Sequence, residues 1–451
     1  MIDAAGRALF RAVDLAMGAD IAGKVRALRA SERLPPERIQ AVQLTRLRAL
    51  LRHAGERVPF YAEAFRSRGI EPASFTSLAD LARLPVLTKT DIVEAGDRLL
   101  DPSPDERFAW DVTSGSTGAP LRFRRSLSAG GWHRALGLRG LAWFGVSPGD
   151  SQARVWGVPI RDEDRRRELR KDWLLNRRRY PSFDLDPSAL DAKIAGLARQ
   201  RPRYVYGYPS AIHEIARRVI ERGRSVIGRW RPNVVVTTAE LLFDDQRRDI
   251  ASAFECPVAN EYGASELTVL AFTCPEGSLH LSDEALVTEF EPSGLTIDGK
   301  PAFRFVFTDL VNRSMPLIRY RIGDLGRPVE GPCSCGRGLT RIEIVGGREV
   351  DVLVAPDGRR IHGSIFSYLG KSILIGGGVQ RFRAIQTARD RLEIRFEKGP
   401  AFRPDCLVIM ETEIRARTGP SLNIVFVPVQ ELIPERSGKL RYFVGLDSPQ
   451  S

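Results

Sequence analysis

Thr113-Ser114-Gly115-Ser116-Thr117-Gly118-Ala119-Pro120 stands apart from the rest of the chain in composition. It packs hydroxyl side chains and two glycines between two apolar runs. Phe108-Ala109-Trp110-Asp111-Val112 before it reads as a short buried strand, and Leu121-Arg122-Phe123 after it as a second. Such a loop lets backbone N–H groups and hydroxyls approach an anion closely. It is not a Walker A loop, because no Gly-Lys-Ser/Thr follows the glycines. The same residues also suit an ordinary hairpin turn, so the remainder of a nucleotide site has to be found downstream.

The chain has 451 residues, 43% of them hydrophobic, which allows two or three domains and a large core. No run approaches the roughly 18 apolar residues of a membrane span. Asp3, Arg7, Arg11 and Asp14 interrupt the first residues, so a secretory signal is not expected and cytoplasmic residence is. The net charge of +12 suits phosphate-bearing ligands or an anionic membrane surface. No nucleic-acid-binding module accompanies it. Much of the excess arginine lies in Arg161–Arg179, which reads as a solvated helix face or a surface for an anionic partner. Five cysteines, Cys256, Cys274, Cys333, Cys335 and Cys406, are too few and too scattered for a disulfide framework.

Residues 1–55 carry a helical pattern broken at Pro35-Pro36, with 1–50 forming either an arm or a cover for the core. Val58-Pro59-Phe60-Tyr61 and Leu84-Pro85-Val86-Leu87-Thr88-Lys89 punctuate the segment beyond it, and Thr88 with Asp91 predicts a helix cap. From 131 to 330, helical segments such as 191–200 and 211–222 alternate with β-branched runs at 204–206, 234–237 and 257–259. That alternation predicts an α/β sheet. Residues 285–330 turn β-rich. A smaller mixed region covers 340–451, with a turn at Pro356-Asp357-Gly358, a helix near Ile365–Leu369, and strands near 392–396 and 423–427. The boundary is expected at Gly346-Gly347-Arg348, dividing 1–347 from 348–451.

Four polar clusters join the opening loop: Thr237-Thr238-Ala239-Glu240, Asn260-Glu261-Tyr262-Gly263-Ala264-Ser265-Glu266, Tyr320-Arg321-Ile322-Gly323-Asp324, and Ser437-Gly438-Lys439. Each is weak alone, but their joint order is specific. With them, residues 45–445 resemble the adenylate-forming ligase superfamily. Within it they look like the phenylacetate–coenzyme A ligase branch, including relatives found with capsule polysaccharide genes. The resemblance implies a large α/β N-terminal domain bearing ATP and acyl sites, and a small mobile α+β C-terminal lid. It implies an acyl-adenylate formed from ATP and a carboxylic acid, then transfer of the acyl group to a thiol, coenzyme A.

By the same resemblance, Thr113, Ser114, Gly115, Ser116, Thr117 and Gly118 would grip the β- and γ-phosphates. Ala239 and Glu240 would line the adenine pocket, with Tyr262 and Gly263 beside the base. Glu266 would hold Mg²⁺, Asp324 would accept from the ribose hydroxyls, and Arg348 would reach the ribose. Lys439 would meet the acyl carboxylate and α-phosphate, and Asp351 would be the hinge of the lid. Tyr208 and Pro209 would border the acyl pocket, with Trp132, His133 and Trp156 as further lining candidates. The chemistry suits these types: attack of a carboxylate on a phosphate crowds negative charge, so positioning and electrostatics carry the rate. Ala119 departs from the family, which commonly has lysine there, and removes a positive charge near the γ-phosphate.

Cys274 and His280, with Cys333 and Cys335, form the donor set of a tetrahedral structural Zn²⁺. The spacing is not that of a common zinc finger, but some relatives hold zinc at corresponding positions. The other reading is four unligated residues. Expected partners are thus a small carboxylic acid, ATP and coenzyme A or another acceptor, with a homodimer or membrane-surface contact left open. Two further functional readings stand beside the thiol ligase. One transfers the activated acyl group to an amine or hydroxyl in polysaccharide biosynthesis. The other is a degenerate, non-catalytic nucleotide-binding protein.

Overall fold

A computed structural model describes residues 3–112, 121–156, 162–182, 187–297, 299–348, 352–358, 360–362, 366, 369–375, 377–432 and 442–446. The chain opens on α1 (Asp3–Met17), α2 (Ile21–Ser31) and α3 (Pro36–Arg57). Pro36 sits in the first turn of α3, where a missing N–H leaves no hydrogen bond unmade. Pro59 starts α4 (Pro59–Arg68) for the same reason, so the first proline stretch begins a helix rather than merely ending one. α3 buries Leu47, Leu50, Leu51 and Ala54 in the main core. Thr88 and Asp91 form the expected capping box at the head of α5 (Lys89–Ala95): Thr88 N–H donates to Asp91 at 2.7 Å, and Asp91 N–H to Thr88 Oγ1 at 3.3 Å.

β1 (Phe108–Val112) and β2 (Arg122–Ser126) form an antiparallel hairpin in which Val112 faces Arg122, closing the base of the intervening loop. The loop itself, Thr113–Pro120, lies outside the described residues. The expectation of a buried first strand is wrong: β1 is exposed throughout. Its rings are covered by guanidinium groups instead of a core, Arg122 lying 3.9 Å over Trp110 and Arg124 4.6 Å over Phe108.

α6 (Leu127–Ala142) leads into a run of alternating elements: β3 (Gln152–Trp156), α7 (Asp162–Leu174), β4 (Arg177–Pro181), α8 (Pro187–Gln200), β5 (Tyr204–Gly207), α9 (Pro209–Arg222), β6 (Val234–Thr238), α10 (Asp244–Phe254) and β7 (Val258–Gly263). β8 (Val269–Thr273), β9 (Leu279–Leu281), β10 (Leu286–Ile297), β11 (Lys300–Asp309), β12 (Tyr320–Val329) and β13 (Arg341–Arg348) follow. Together the strands make one 11-stranded sheet of order β10-β11-β12-β13-β9-β8-β7-β6-β5-β3-β4. The segment from β4 to β7 is parallel, as right-handed strand–helix–strand crossovers require, and the remainder antiparallel. α8, α9 and α10 cover one face over Val155, Val205, Val235 and Phe254. α6 and the N-terminal helices cover the other. The Leu84–Lys89 stretch adds a backbone bridge to the sheet: Leu87 N–H donates to Arg319 O and Arg321 N–H to Leu87 O, at 2.8 and 2.9 Å.

The Arg161–Arg179 stretch is only partly a helix face. It ends as β4, where Arg177 and Arg179 point back at Glu168 and Asp172 of α7 and pair with both. The charges of Arg177 and Arg179 are therefore neutralised within the chain. Beyond β13, β14 (Val352–Val354) and β15 (Arg360–His362) flank the turn at Pro356-Asp357-Gly358, where Gly358 takes the positive φ of 88°. The helix expected near Ile365–Leu369 falls mostly outside the described residues; a π-helical segment covers Gly370–Ile375. β16 (Val379–Ala388), β17 (Arg391–Lys398), α11 (Asp405–Thr418), β18 (Asn423–Val429) and β19 (Phe443–Val444) complete the chain. They build a four-stranded sheet of order β18-β17-β16-β19 over its own core of Phe382, Ile394, Phe396 and Met410. Among the described residues, no helix is long and apolar enough to cross a membrane.

Candidate active site

The carboxyl ends of the parallel strands converge on one edge of the large sheet, the place where open α/β sheets bind ligands. β6 ends there in Thr238, and Ala239 turns the corner at φ 68°, a left-handed conformation that costs an alanine free energy. The turn brings Glu240 to the N-terminus of α9, where its carboxylate accepts from Ser210 N–H at 3.2 Å. Tyr208 is the N-cap of α9 and Pro209 its first residue; the Tyr208 ring stacks on Trp156 at 4.2 Å between centroids.

β7 ends beside β12, and two phenols tie the elements together. Tyr262 donates to Asp324 Oδ2 at 2.8 Å, and Tyr320 donates to Glu266 Oε1 at 3.0 Å. Glu266 Oε2 carries no hydrogen bond among the described residues, which leaves it for a cation. Gly263 lies against Thr268 O, only 3.1 Å from where a Cβ would sit. The Arg125 guanidinium of β2 donates to Ser265 O, so the β1–β2 hairpin is tied to the Glu266 turn. Asp324 faces Arg348 across β12 and β13; the Arg348 side chain is not described. Lys439 and Asp351 lie outside the described residues. Tyr442, three residues beyond Lys439, is nonetheless close enough to Glu240, Glu214 and Asp245 for their charges, after burial, to raise its phenol. The C-terminal sheet thus stands near the Ala239 corner.

Ala239, Glu240, Tyr262, Gly263, Glu266 and Asp324 come from three separate parts of the sequence and meet at this edge. Arg154, Tyr206 and Glu261, to which the sequence alone gives no role although Glu261 lies in the Asn260–Glu266 cluster, lie just below it. Tyr206 donates to Glu261 Oε1 at 2.6 Å, and burial raises the Glu261 carboxyl above its ordinary value. Strand alternation puts these residues on one sheet face, a signal readable only once the register of β3, β5 and β7 is known.

Cys274, His280, Cys333 and Cys335 also meet, their ligand atoms all within 4.8 Å of one another. Cys274 Sγ is 3.9 Å from Cys333 Sγ, and Cys335 Sγ is 3.3 Å from His280 Nε2. A tetrahedron with bonds of about 2.3 Å to sulfur has edges of about 3.8 Å, so the donors fit a zinc ion. His280 Nδ1 lies 3.1 Å from Leu339 O, a partner that orients the ring and leaves Nε2 as the ligand. The ion would join the turn after β8 to the loop between β12 and β13. All four positions are filled by protein, so it would be structural.

Comparison with known proteins agrees with this geometry. No family model matches the chain. It is 28% identical to Protein CapK of Staphylococcus aureus over 272 residues, 59% of this chain and 58% of that one, so it spans less than two thirds of that relative. It is 27% identical to the phenylacetate-coenzyme A ligase of Thermus thermophilus over 348 residues, 72% and 73% of the two chains. Among solved structures, 2-hydroxyisobutyryl-CoA ligase in its postadenylation state superposes with a TM-score of 0.70 at 22% identity, over 92% of this chain and 91% of that one. The fold is that of an adenylate-forming ligase. The same fold recurs in ATP-bound MatB from Rhodopseudomonas palustris, with a TM-score of 0.50 over 79% of this chain and 70% of that one. In sequence the chain is similar to phenylacetate-coenzyme A ligases and to Protein CapK.

Proposed function

We propose that this chain is an AMP-forming ligase that adenylates a carboxylic acid with ATP and passes the acyl group to coenzyme A. The observation that carries the reading is the paired clamp of Tyr262 on Asp324 and Tyr320 on Glu266, set at the carboxyl edge of the parallel strands and tied through Ser265 O to Arg125 of the β1–β2 hairpin. Ala239 and Glu240 border the adenine and Tyr262 flanks it. Asp324, oriented by the Tyr262 phenol, accepts from the ribose hydroxyls, with Arg348 opposite it on the neighbouring strand. The hydroxyls and backbone N–H groups of Thr113–Gly118 hold the β- and γ-phosphates.

Glu266 holds Mg²⁺, which would supply charge neutralisation at the phosphates. Tyr208 and Pro209 border the acid. Lys439 neutralises the acyl carboxylate and α-phosphate oxygens as they approach, and pyrophosphate leaves. Residues 348–451 act as a lid that turns about Asp351 and excludes water from the hydrolysable adenylate. Zn²⁺ at the Cys274 cluster is structural. Use of ATP and coenzyme A fits the cytoplasm.

ATP–pyrophosphate exchange over a panel of acids tests the reading, followed by coenzyme A consumption with any acid that exchanges. Acid-dependent exchange and thioester formation are expected. Exchange without thioester formation would move the acceptor to an amine or hydroxyl, and no exchange with any acid would refute the reading.

A further inference from the structure

The two faces of the parallel sheet differ in kind. A parallel sheet covered on both sides ordinarily shows apolar side chains to each. The face under α8, α9 and α10 does so, with Ala153, Val155, Val205, Val235 and Val258. The face under α6 does not. Toward the carboxyl ends it carries Arg154 on β3, Tyr206 directly opposite on β5, and Glu261 on β7 opposite Thr238 of β6. These groups are connected but not fully satisfied. Tyr206 donates to Glu261 Oε1 at 2.6 Å, while Glu261 Oε2 has no hydrogen bond among the described residues. The Arg154 guanidinium lies 5.1 Å from the Tyr206 ring and 4.6 Å from the Trp156 ring, and its Nε is buried with no partner.

α6 runs across this face. Gly137 lets it come close, since a Cβ there would stand 3.2 Å from Glu261 Oε2. One turn earlier on the same helix face, His133 Nδ1 is also buried without a partner. Burial, with the charges of Arg125 and Arg134, pushes this imidazole down to about 3, so it is neutral. Native proteins rarely leave such groups unpaired, because each costs its desolvation. Arg154 and Tyr206 lie against Trp156, which stacks on Tyr208, so this face stands just below the Ala239 corner, where an acid awaiting adenylation would extend.

We infer that Arg154, Tyr206, Glu261 and His133 form the floor of the acyl subsite and select an acid that carries a hydroxyl or amino group beyond its carboxylate. This rests on the ligase reading. The substrate's hydroxyl or ammonium donates to Glu261 Oε2, and a hydroxyl also accepts from Arg154. An acid with only hydrocarbon at that position leaves the floor unsatisfied. Sites built to hydrogen-bond a substrate hydroxyl reject the analogue that lacks it more strongly than apolar pockets reject a changed methylene.

The test is ATP–pyrophosphate exchange with matched pairs: butanoate with 3-hydroxybutanoate and 4-aminobutanoate, and phenylacetate with 4-hydroxyphenylacetate and mandelate. The wild-type chain should favour at least one polar member over its hydrocarbon partner by about 30-fold or more in kcat/KM. Tyr206→Phe and Glu261→Met should each cut that polar acid about tenfold and leave the hydrocarbon partner unchanged or improved. Melting temperatures, and ATP binding by titration calorimetry, separate the effect from misfolding. Hydrocarbon acids activated as well as their polar partners, or variants that slow both equally, would overturn the inference while the ligase reading stands. Absence of exchange with every acid would remove the ligase reading and this inference together.

Discussion

Asp324 and Glu266 each accept a hydrogen bond from a tyrosine hydroxyl. Loss of a hydrogen bond to a charged group costs about 1.5–3 kcal/mol, or roughly 10- to 100-fold in affinity. Asp324→Ala is therefore expected to raise the KM for ATP by about that factor with an unchanged far-UV spectrum. An unchanged KM would remove Asp324 from the ribose site. Asp309 behaves otherwise. Burial lifts its carboxyl to about 6, against hydrogen bonds from Val311 and Asn312 N–H that pull it down. The folded chain thus keeps a proton that the unfolded chain releases near pH 4, and stability contributed by this group falls as pH rises from about 4 to about 6. Asp309→Asn has no such term. Its melting temperature relative to wild type should climb across that window and then level off, which a pH series of thermal melts reads directly. At this scale the sequence discloses Asp324 and Glu266, since both sit in short polar clusters with glycine and tyrosine neighbours. It hides Arg154 and Glu261, because their meeting depends on strand register across more than 100 positions.

Elements are legible where local chemistry decides them. Thr88 and Asp91 satisfy each other's backbone groups and begin α5 whatever surrounds them. The alternation of helices with β-branched runs likewise announces the parallel half of the sheet. β1 misleads because an apolar run signals a strand but not what covers it; two arginines of the partner strand do. The Arg161–Arg179 stretch misleads because its acids are spaced to pair with the next strand as well as along the helix. Long-range pairing also fixes α6. Arg139, about 1% exposed, holds both carboxylate oxygens of Glu284 at 2.8–2.9 Å. Arg139→Ala leaves that buried carboxylate without its counter-charge and, among the described residues, with only the Ser31 hydroxyl donating to it, and should destabilise by about 3–5 kcal/mol in urea unfolding. The double variant Arg139→Met, Glu284→Met should recover much of it. If the single variant costs nothing, this pair does not anchor α6.

The whole molecule sets a large sheet, which carries the proposed ligand-binding edge, beside a small sheet with its own core. The Cys274 cluster fastens loops on the large sheet. Chelation of zinc should lower the melting temperature by several degrees, because an ion bound only to the folded state stabilises it by mass action. Cys333→Ser should show the lowered value without chelator, and elemental analysis should find about one zinc per chain in the wild type alone. Domain order is legible because the polar clusters recur in sequence. The lid motion proposed about Asp351 is not legible, because no local pattern encodes a motion.

Every role proposed for the site turns on one step, in which a carboxylate oxygen of the acid attacks the α-phosphate of ATP. Incubation with an accepted acid labelled with ¹⁸O in its carboxylate, followed by mass analysis of the nucleotide products, tests this most directly. One ¹⁸O in AMP, unlabelled pyrophosphate, and loss of labelled AMP in Lys439→Ala are the expected results. Label in inorganic phosphate with ADP as the nucleotide product, or AMP without label, would contradict the step.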